Sequence, residues 1–378
     1  MPSSFLRAPS SRARGSPSIA SMREPILRFC AVAGVAALVA CGSFAGDQGR
    51  TALDGGADGG LEGGKGPDEA GSPSPEVLLQ GLAVPLDLQL RGDDLFLLTL
   101  GTELPAATLG RVLRCPVASC KILETVMPDL RKPSVFLVVG DLVYIGSDVD
   151  GGYLLEKNLR TGATSTIEPS AVVRALSADS DHVYYSGTFG VRRIARASTS
   201  VGPASFVTTA ANWHRVASVA EADSEVALVN QGAFEGGGGS VQACPRSACP
   251  SPRVVAAGEL NPAFLARRGA ELFWLSYSQP EGAVRATTLA SDAGVVRTLA
   301  TTTRYPIGLR LENDGRVVWS EPSAGKIRSV KPGEPARDEA LYPNAGASVE
   351  TAEYLYWVAR NSDLSPDGRL LRQRRIKP

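Results

Sequence analysis

The sequence predicts an all-β fold, a β-propeller of about seven four-stranded blades occupying residues 76–378. Three observations carry this. One strand pattern recurs seven times, its copies begin 38 to 47 residues apart, and windows with a sustained helical period are absent. Apolar residues fall instead in short runs broken by Gly, Pro, Asp and Asn, as many short strands require. Leucine-rich and β-helix repeats are far shorter than this spacing.

Each copy reads as an apolar strand, a polar turn, a second strand with bulky residues, a glycine-containing turn, and third and fourth strands. The second strands are the clearest: Asp94-Leu95-Phe96-Leu97, Asp141-Leu142-Val143-Tyr144, Asp181-His182-Val183-Tyr184-Tyr185, Glu225-Val226-Ala227-Leu228, Glu271-Leu272-Phe273-Trp274, Arg316-Val317-Val318-Trp319 and Tyr354-Leu355-Tyr356-Trp357. Residues 222–230 form the weakest copy, with no aromatic, so counts of six or eight stay open at this stage. Pro85, Pro133, Pro262 and Pro306 mark crossings between blades, where a fixed φ and a missing N–H suit the first residue of a strand.

The last copy, residues 347–376, supplies only three strands. Upstream, Glu76-Val77-Leu78-Leu79-Gln80-Gly81-Leu82 reads like a fourth strand, comparable with Arg253-Val254-Val255-Ala256-Ala257-Gly258-Glu259-Leu260. The N-terminal strand is therefore expected to complete the last blade and close the ring, leaving no long free edge. Val183-Tyr184-Tyr185-Ser186, Phe273-Trp274-Leu275-Ser276 and Val318-Trp319-Ser320 give the repeat a pattern that resembles YWTD-like and NHL-like propellers, in degenerate form.

Ahead of the repeats, Arg23 and Arg28 precede an apolar run from Phe29 to Ala40, too short to span a bilayer but suited to a signal peptide over residues 1–40. Met22 is the better start, because residues 1–21 are rich in Ser, Arg and Pro. The run ends in Leu38-Val39-Ala40-Cys41, which resembles the bacterial lipobox and implies lipidation of Cys41. Residues 41–75 then form a Gly-rich linker with almost no aliphatic side chains. Its flexible reach is roughly 30–35 Å. Several acyl chains would hold the mature protein durably on a membrane. Gly42 in place of Asp is similar to the enteric outer-membrane sorting pattern, so the expected address is the cell envelope, lipid-anchored, on the outer membrane.

Lysine plus arginine equals aspartate plus glutamate at 39 each, which gives no field favouring nucleic acid. Basic residues gather at the C-terminus in Arg369, Arg372, Arg374, Arg375 and Lys377; a solvated strand explains them more simply than an anionic lipid surface.

Of six cysteines, Cys30 leaves with the signal and Cys41 takes lipid. The others form Cys115-Pro116-Val117-Ala118-Ser119-Cys120 and Cys244-Pro245-Arg246-Ser247-Ala248-Cys249, at the same place in two blades between third and fourth strands. Each reads as a disulfide-stapled hairpin, whose small loop is worth about 2 kcal/mol. Zinc is disfavoured, since the two motifs lie in separate blades. The CPxxxC element is similar to one in repeat propellers among lipoproteins of Gram-negative soil bacteria.

Chemistry in a propeller is expected at the channel mouth, on loops entering the innermost strands, here at Pro85, Pro133, Arg174, His214, Pro262, Pro306 and Ala345. These supply no ring of Asp, Glu or His for a metal, and no cofactor is called for. Arg174, Trp213, His214 and Tyr305 are the candidate ligand contacts, an aromatic beside an imidazole being able to read a ligand. Asp148 and Asp150 lack the remaining ligands of a calcium loop, Arg91-Gly92-Asp93 reads as a hairpin turn, and Gly236 to Gly239 lack the Lys and helix of a phosphate loop.

The sequence therefore leads to a non-enzymatic binding or scaffolding propeller, monomeric and displayed from a membrane, with a protein or glycan ligand. The rivals are a propeller enzyme of lyase or lactonase type using His214 and its neighbours, and a structural subunit of an envelope assembly.

Overall fold

The computed structural model describes residues 74–102, 108–149, 151–187, 190–196, 205–208, 214–216, 225–232, 238–246, 249, 251–277, 280–289, 294–303, 305–360 and 367–375. The expected signal segment, Cys41 and the linker lie outside the described residues. Among the described residues, no helix is long and apolar enough to cross a membrane.

Seven antiparallel sheets of four strands make a β-propeller, and six of them are contiguous in sequence. Their inner strands are Pro85–Arg91, Pro133–Val139, Val173–Ala178, His214–Val216, Pro262–Arg268 and Ile307–Leu311, with Ala345–Glu350 serving the seventh. Each inner strand touches the next in sequence order, and that of blade seven touches that of blade one. The seventh sheet takes its outer strand from the other end of the chain: Glu76–Leu82 pairs with Gly368–Arg374, from Glu76 opposite Arg372 to Leu82 opposite Gly368. Blade four, built on the copy without an aromatic, is complete, because Val226, Ala227, Leu228 and Val229 are all buried.

The second strands are apolar on both faces because each blade is covered by a neighbour on either side. Phe96 and Leu98 of blade one thus join Phe136 and Val143 of blade two in one cluster, and Val229 and Ala243 of blade four join Leu272 and Trp274 of blade five. Bulky aromatics bring polar tips with them, and blades three, five and six match theirs with a carboxylate. Trp274 Nε1 donates to Glu259 at 2.9 Å and Trp319 Nε1 to Glu321 at 2.8 Å, while the Tyr185 hydroxyl donates to Glu168 at 3.0 Å. An arginine directly across the strand pair faces each carboxylate: Arg285 at 3.5 Å, Arg328 at 3.1 Å and Arg192 at 2.7 Å.

The crossings between blades repeat a second device. The residue before the inner strand takes a left-handed conformation at Val84, Lys132, Asn261 and Asn344, with φ of 50°, 47°, 41° and 54°. Pro85, Pro133 and Pro262 follow immediately and open their strands. Each of these rings lies against a glycine of the preceding blade's third strand. A Cβ on Gly368, Gly110 or Gly239 would stand 2.3 Å from Pro85, 2.5 Å from Pro133 or 2.5 Å from Pro262, closer than any side chain tolerates.

Candidate functional site at the channel mouth

The crossings deliver the inner strands to one end of the ring, and six of the seven inner strands have an irregular register within their first residues. The interrupted positions include Leu86, Ser134, Arg174, Phe264, Gly308 and Gly346. Bulges of this kind bend a strand and re-aim a side chain, and they concentrate at barrel rims and beside functional sites. Here they fall where the inner strands begin, at one end of the ring.

Blades five and six bring three partly exposed aromatics to this end, of which Phe264 and Tyr277 also pack on the core cluster that the two blades share. Phe264 sits in its bulge at φ 49°, a left-handed conformation that costs a bulky L-residue roughly 1–2 kcal/mol. Tyr277, at the end of the second strand of blade five, donates its amide to the Asn261 carbonyl at 3.3 Å. Its ring meets that of Tyr305, on the crossing into blade six, edge-on with centroids 5.9 Å apart. Phe264, Tyr277 and Tyr305 are all partly exposed.

Blade one contributes Asp87, two residues beyond Pro85. Burial pushes its carboxyl up to about 6, against the opposing pull of the Leu88 amide, at 2.8 Å, and of Gln89. Gln89 holds the neighbouring inner strand in place: its Nε2 donates to the Phe136 carbonyl at 2.8 Å, and its Oε1 accepts from the Val138 amide at 2.9 Å. Asp87 escaped sequence reasoning because an Asp at a polar position of an alternating strand, Leu86-Asp87-Leu88-Gln89-Leu90-Arg91, reads as an ordinary outward-facing residue. Phe264 and Tyr277 were equally silent, since bulge positions follow from backbone register.

Arg174 is the bulged residue of the inner strand of blade three, and Tyr305 is on the crossing into blade six, so both lie at this end of the ring. His214 begins the inner strand of blade four, opposite Asn230, but its side chain lies outside the described residues, as does Trp213. Asp150 is likewise outside them. Arg91-Gly92-Asp93 makes a hairpin turn, with Gly92 at φ 57°.

The strongest charge clusters lie elsewhere, at the turns between inner and second strands. Arg316, 1 % exposed, binds Asp314 at 2.7 Å, Glu339 at 2.7 Å and Glu350 at 2.8 Å. Arg375 reaches Glu350 at 3.1 Å, and Arg310 pairs with Glu312. Asp179, Asp181 and His182 bring ligand atoms within 4.8 Å of one another. The Asp179 carboxylate is already held by Arg246, however, and by the Asp181 and His182 amides at 2.7 Å. The C-terminal arginines are also engaged: Arg369 with the Tyr342 hydroxyl at 2.7 Å, and Arg372 with Glu76 at 2.7 Å.

No protein-family model and no curated protein sequence matches the chain. Solved structures do match in fold. Virginiamycin B lyase from Staphylococcus aureus superposes with a TM-score of 0.60 at 9 % identity, over 80 % of this chain and 97 % of the lyase. A streptogramin B lyase structure gives 0.56 at 8 % identity over 80 % and 97 %. The computationally designed Ika8 protein gives 0.52 at 12 % over 77 % and 83 %. Identities this low establish the propeller fold alone, which hosts unrelated functions.

Proposed function

We propose that the chain is a lipid-anchored, extracytoplasmic binding propeller that engages a protein or glycan ligand at the channel mouth over blades five and six. The observation that carries this is the aromatic group of Phe264, Tyr277 and Tyr305, partly exposed and built on a left-handed backbone at Phe264. Aromatic faces backed by a few polar groups are the usual chemistry of such recognition, and strained bulky residues gather at ligand clamps. The basic flank, apolar run and Cys41 in order support the anchor, and two hairpin disulfides suit an oxidising compartment.

Two experiments test the two halves. Acyl-chain labelling of the full-length protein in a Gram-negative host is expected to mark the wild type and not Cys41→Ala; equal labelling of both would overturn the anchor. Detergent-solubilised protein is then screened against envelope glycans and envelope proteins. Tyr277→Ala and Tyr305→Ala should each weaken capture by about tenfold or more, Tyr277→Ala also lowering the melting temperature because its ring packs on the core. Retention by both variants would remove the mouth from the binding surface. Turnover of a captured ligand would instead favour a lyase-type enzyme, the activity named for two of the structural neighbours.

A further inference from the structure

Both CPxxxC motifs close as disulfides, with Cα atoms 5.0 Å apart for Cys115 and Cys120 and 5.3 Å apart for Cys244 and Cys249. Their proline ends the third strand in the same register, Pro116 opposite Asp94 and Pro245 opposite Glu225, each the first residue of the second strand. The sulfurs do not face solvent, as those of a hairpin staple would. All four cysteines are buried, and each pair shares a hydrophobic cluster with a tyrosine of the preceding blade. Cys244 and Cys249 cluster with Tyr184 of blade three, and Cys115 and Cys120 with Tyr356 of blade seven. Tyr184 and Tyr356 hold equivalent places, each tilted against the ring two residues earlier at 6.1 Å, His182 or Tyr354.

The residue after the proline enters the same socket. In blade one it is Val117, which packs in the cluster containing Tyr354 and Tyr356. In blade four it is Arg246, whose guanidinium binds Asp179 and accompanies the Tyr184 hydroxyl at 3.3 Å. That hydroxyl in turn donates to Asp179 at 2.8 Å, and Arg193 of blade three donates to the Arg246 carbonyl. The Asp179 side chain is wholly buried, so its charge depends on these donors.

We propose that the CPxxxC hairpins are seam locks: each cystine presets its hairpin so that the residue after the proline plugs the blade before it, making the hold on that blade depend on the cystine's redox state. A dithiol opens the cystine by two successive exchanges. It supplies two electrons and two protons, leaves two thiols in the hairpin and becomes a disulfide itself. Only the plug's chemistry differs, an apolar side chain closing the seam of blades seven and one and a cation closing that of blades three and four.

The test is amide hydrogen exchange on the intact chain. Cys244→Ala/Cys249→Ala, and wild type held in excess dithiothreitol, are expected to raise exchange about tenfold or more at Asp181 and His182 in blade three, with blade six unchanged. Arg246→Ala should act on the same amides, and combining it with the cysteine pair should add little, because both release Asp179. Asp179→Asn in the Arg246→Ala background should recover most of the lost protection by removing the stranded charge. Exchange confined to the blade-four hairpin, or fully additive effects of the two changes, would overturn the lock.

Discussion

The Glu76 carboxylate accepts a hydrogen bond from Arg372 Nε at 2.7 Å, joining residues 296 positions apart. Arg372 also lies over the Tyr354 ring, its guanidinium 4.8 Å from the centroid, so the pair pins the closing strand onto blade seven. Both charges are partly solvated, and such pairs contribute at most about 1 kcal/mol. Glu76→Ala should therefore change the thermal midpoint by only a few degrees. Deleting residues 76–82 should instead abolish the cooperative transition, because it bares a long sheet edge and uncovers Leu370 and Leu371. Calorimetry on both proteins checks this; a deletion that melts like wild type would remove the strand from the closure.

Arg316 is buried with three carboxylates around it, and its removal leaves Glu350 to Arg375 and Glu339 to Arg337 while emptying a buried space. Arg316→Ala is expected to lower stability by about 3–5 kcal/mol in urea unfolding. Burial and the neighbouring Glu312 push Glu350 upward, while Arg316 and Arg310 oppose them. A loss below about 1 kcal/mol would mean that the cluster is solvated in solution.

Asp87 titrates near 6 in the folded chain against an ordinary value of 3.8. Between those values the folded state holds a proton that the unfolded chain has released, so stability falls as pH rises through the window. The expected loss is up to about 3 kcal/mol. Asp87→Asn should flatten the pH dependence of unfolding between about pH 4 and 6 and leave the variant the more stable protein at neutral pH. An unchanged slope would show that the carboxyl is hydrated in the channel.

Gly239→Ala would set a methyl 2.5 Å from Pro262 and 2.7 Å from the Glu259 carbonyl. A rigid proline ring and a backbone carbonyl crowd the position together, so relief requires a shift of the blade-four to blade-five seam. A cost of about 1–3 kcal/mol is expected in chemical denaturation. Gly92→Ala meets nothing within 4 Å and feels only its left-handed turn, at φ 57°, so it serves as the milder control.

Blade number, blade order and closure were legible in the sequence because each rests on periodicity. The strand Glu225–Asn230 shows where periodicity weakens: without an aromatic it looks doubtful, yet Val226 to Val229 bury as completely as Phe273 and Trp274. The hairpin cysteines were legible as pairs from spacing alone. That they share clusters with Tyr184 and Tyr356 was not, because contacts across a seam join residues about 60 or more than 200 positions apart. The strand-entry positions of Arg174 and Tyr305 were legible, whereas those of Phe264, Tyr277 and Asp87 depended on where the bulges lie.

The glycine and proline partners at the crossings belong to different repeats: Gly110 serves Pro133, Gly239 serves Pro262, and Gly368 serves Pro85. The blades are therefore not interchangeable modules, although they share one architecture. A shuffled chain that set one of these prolines against a third strand without a glycine there would have no room for the ring, so each pair restricts which blade can precede a proline-led one. Recombination between such repeats is expected to be tolerated best when the break falls inside a blade, keeping Gly110 with Pro133 and Gly239 with Pro262.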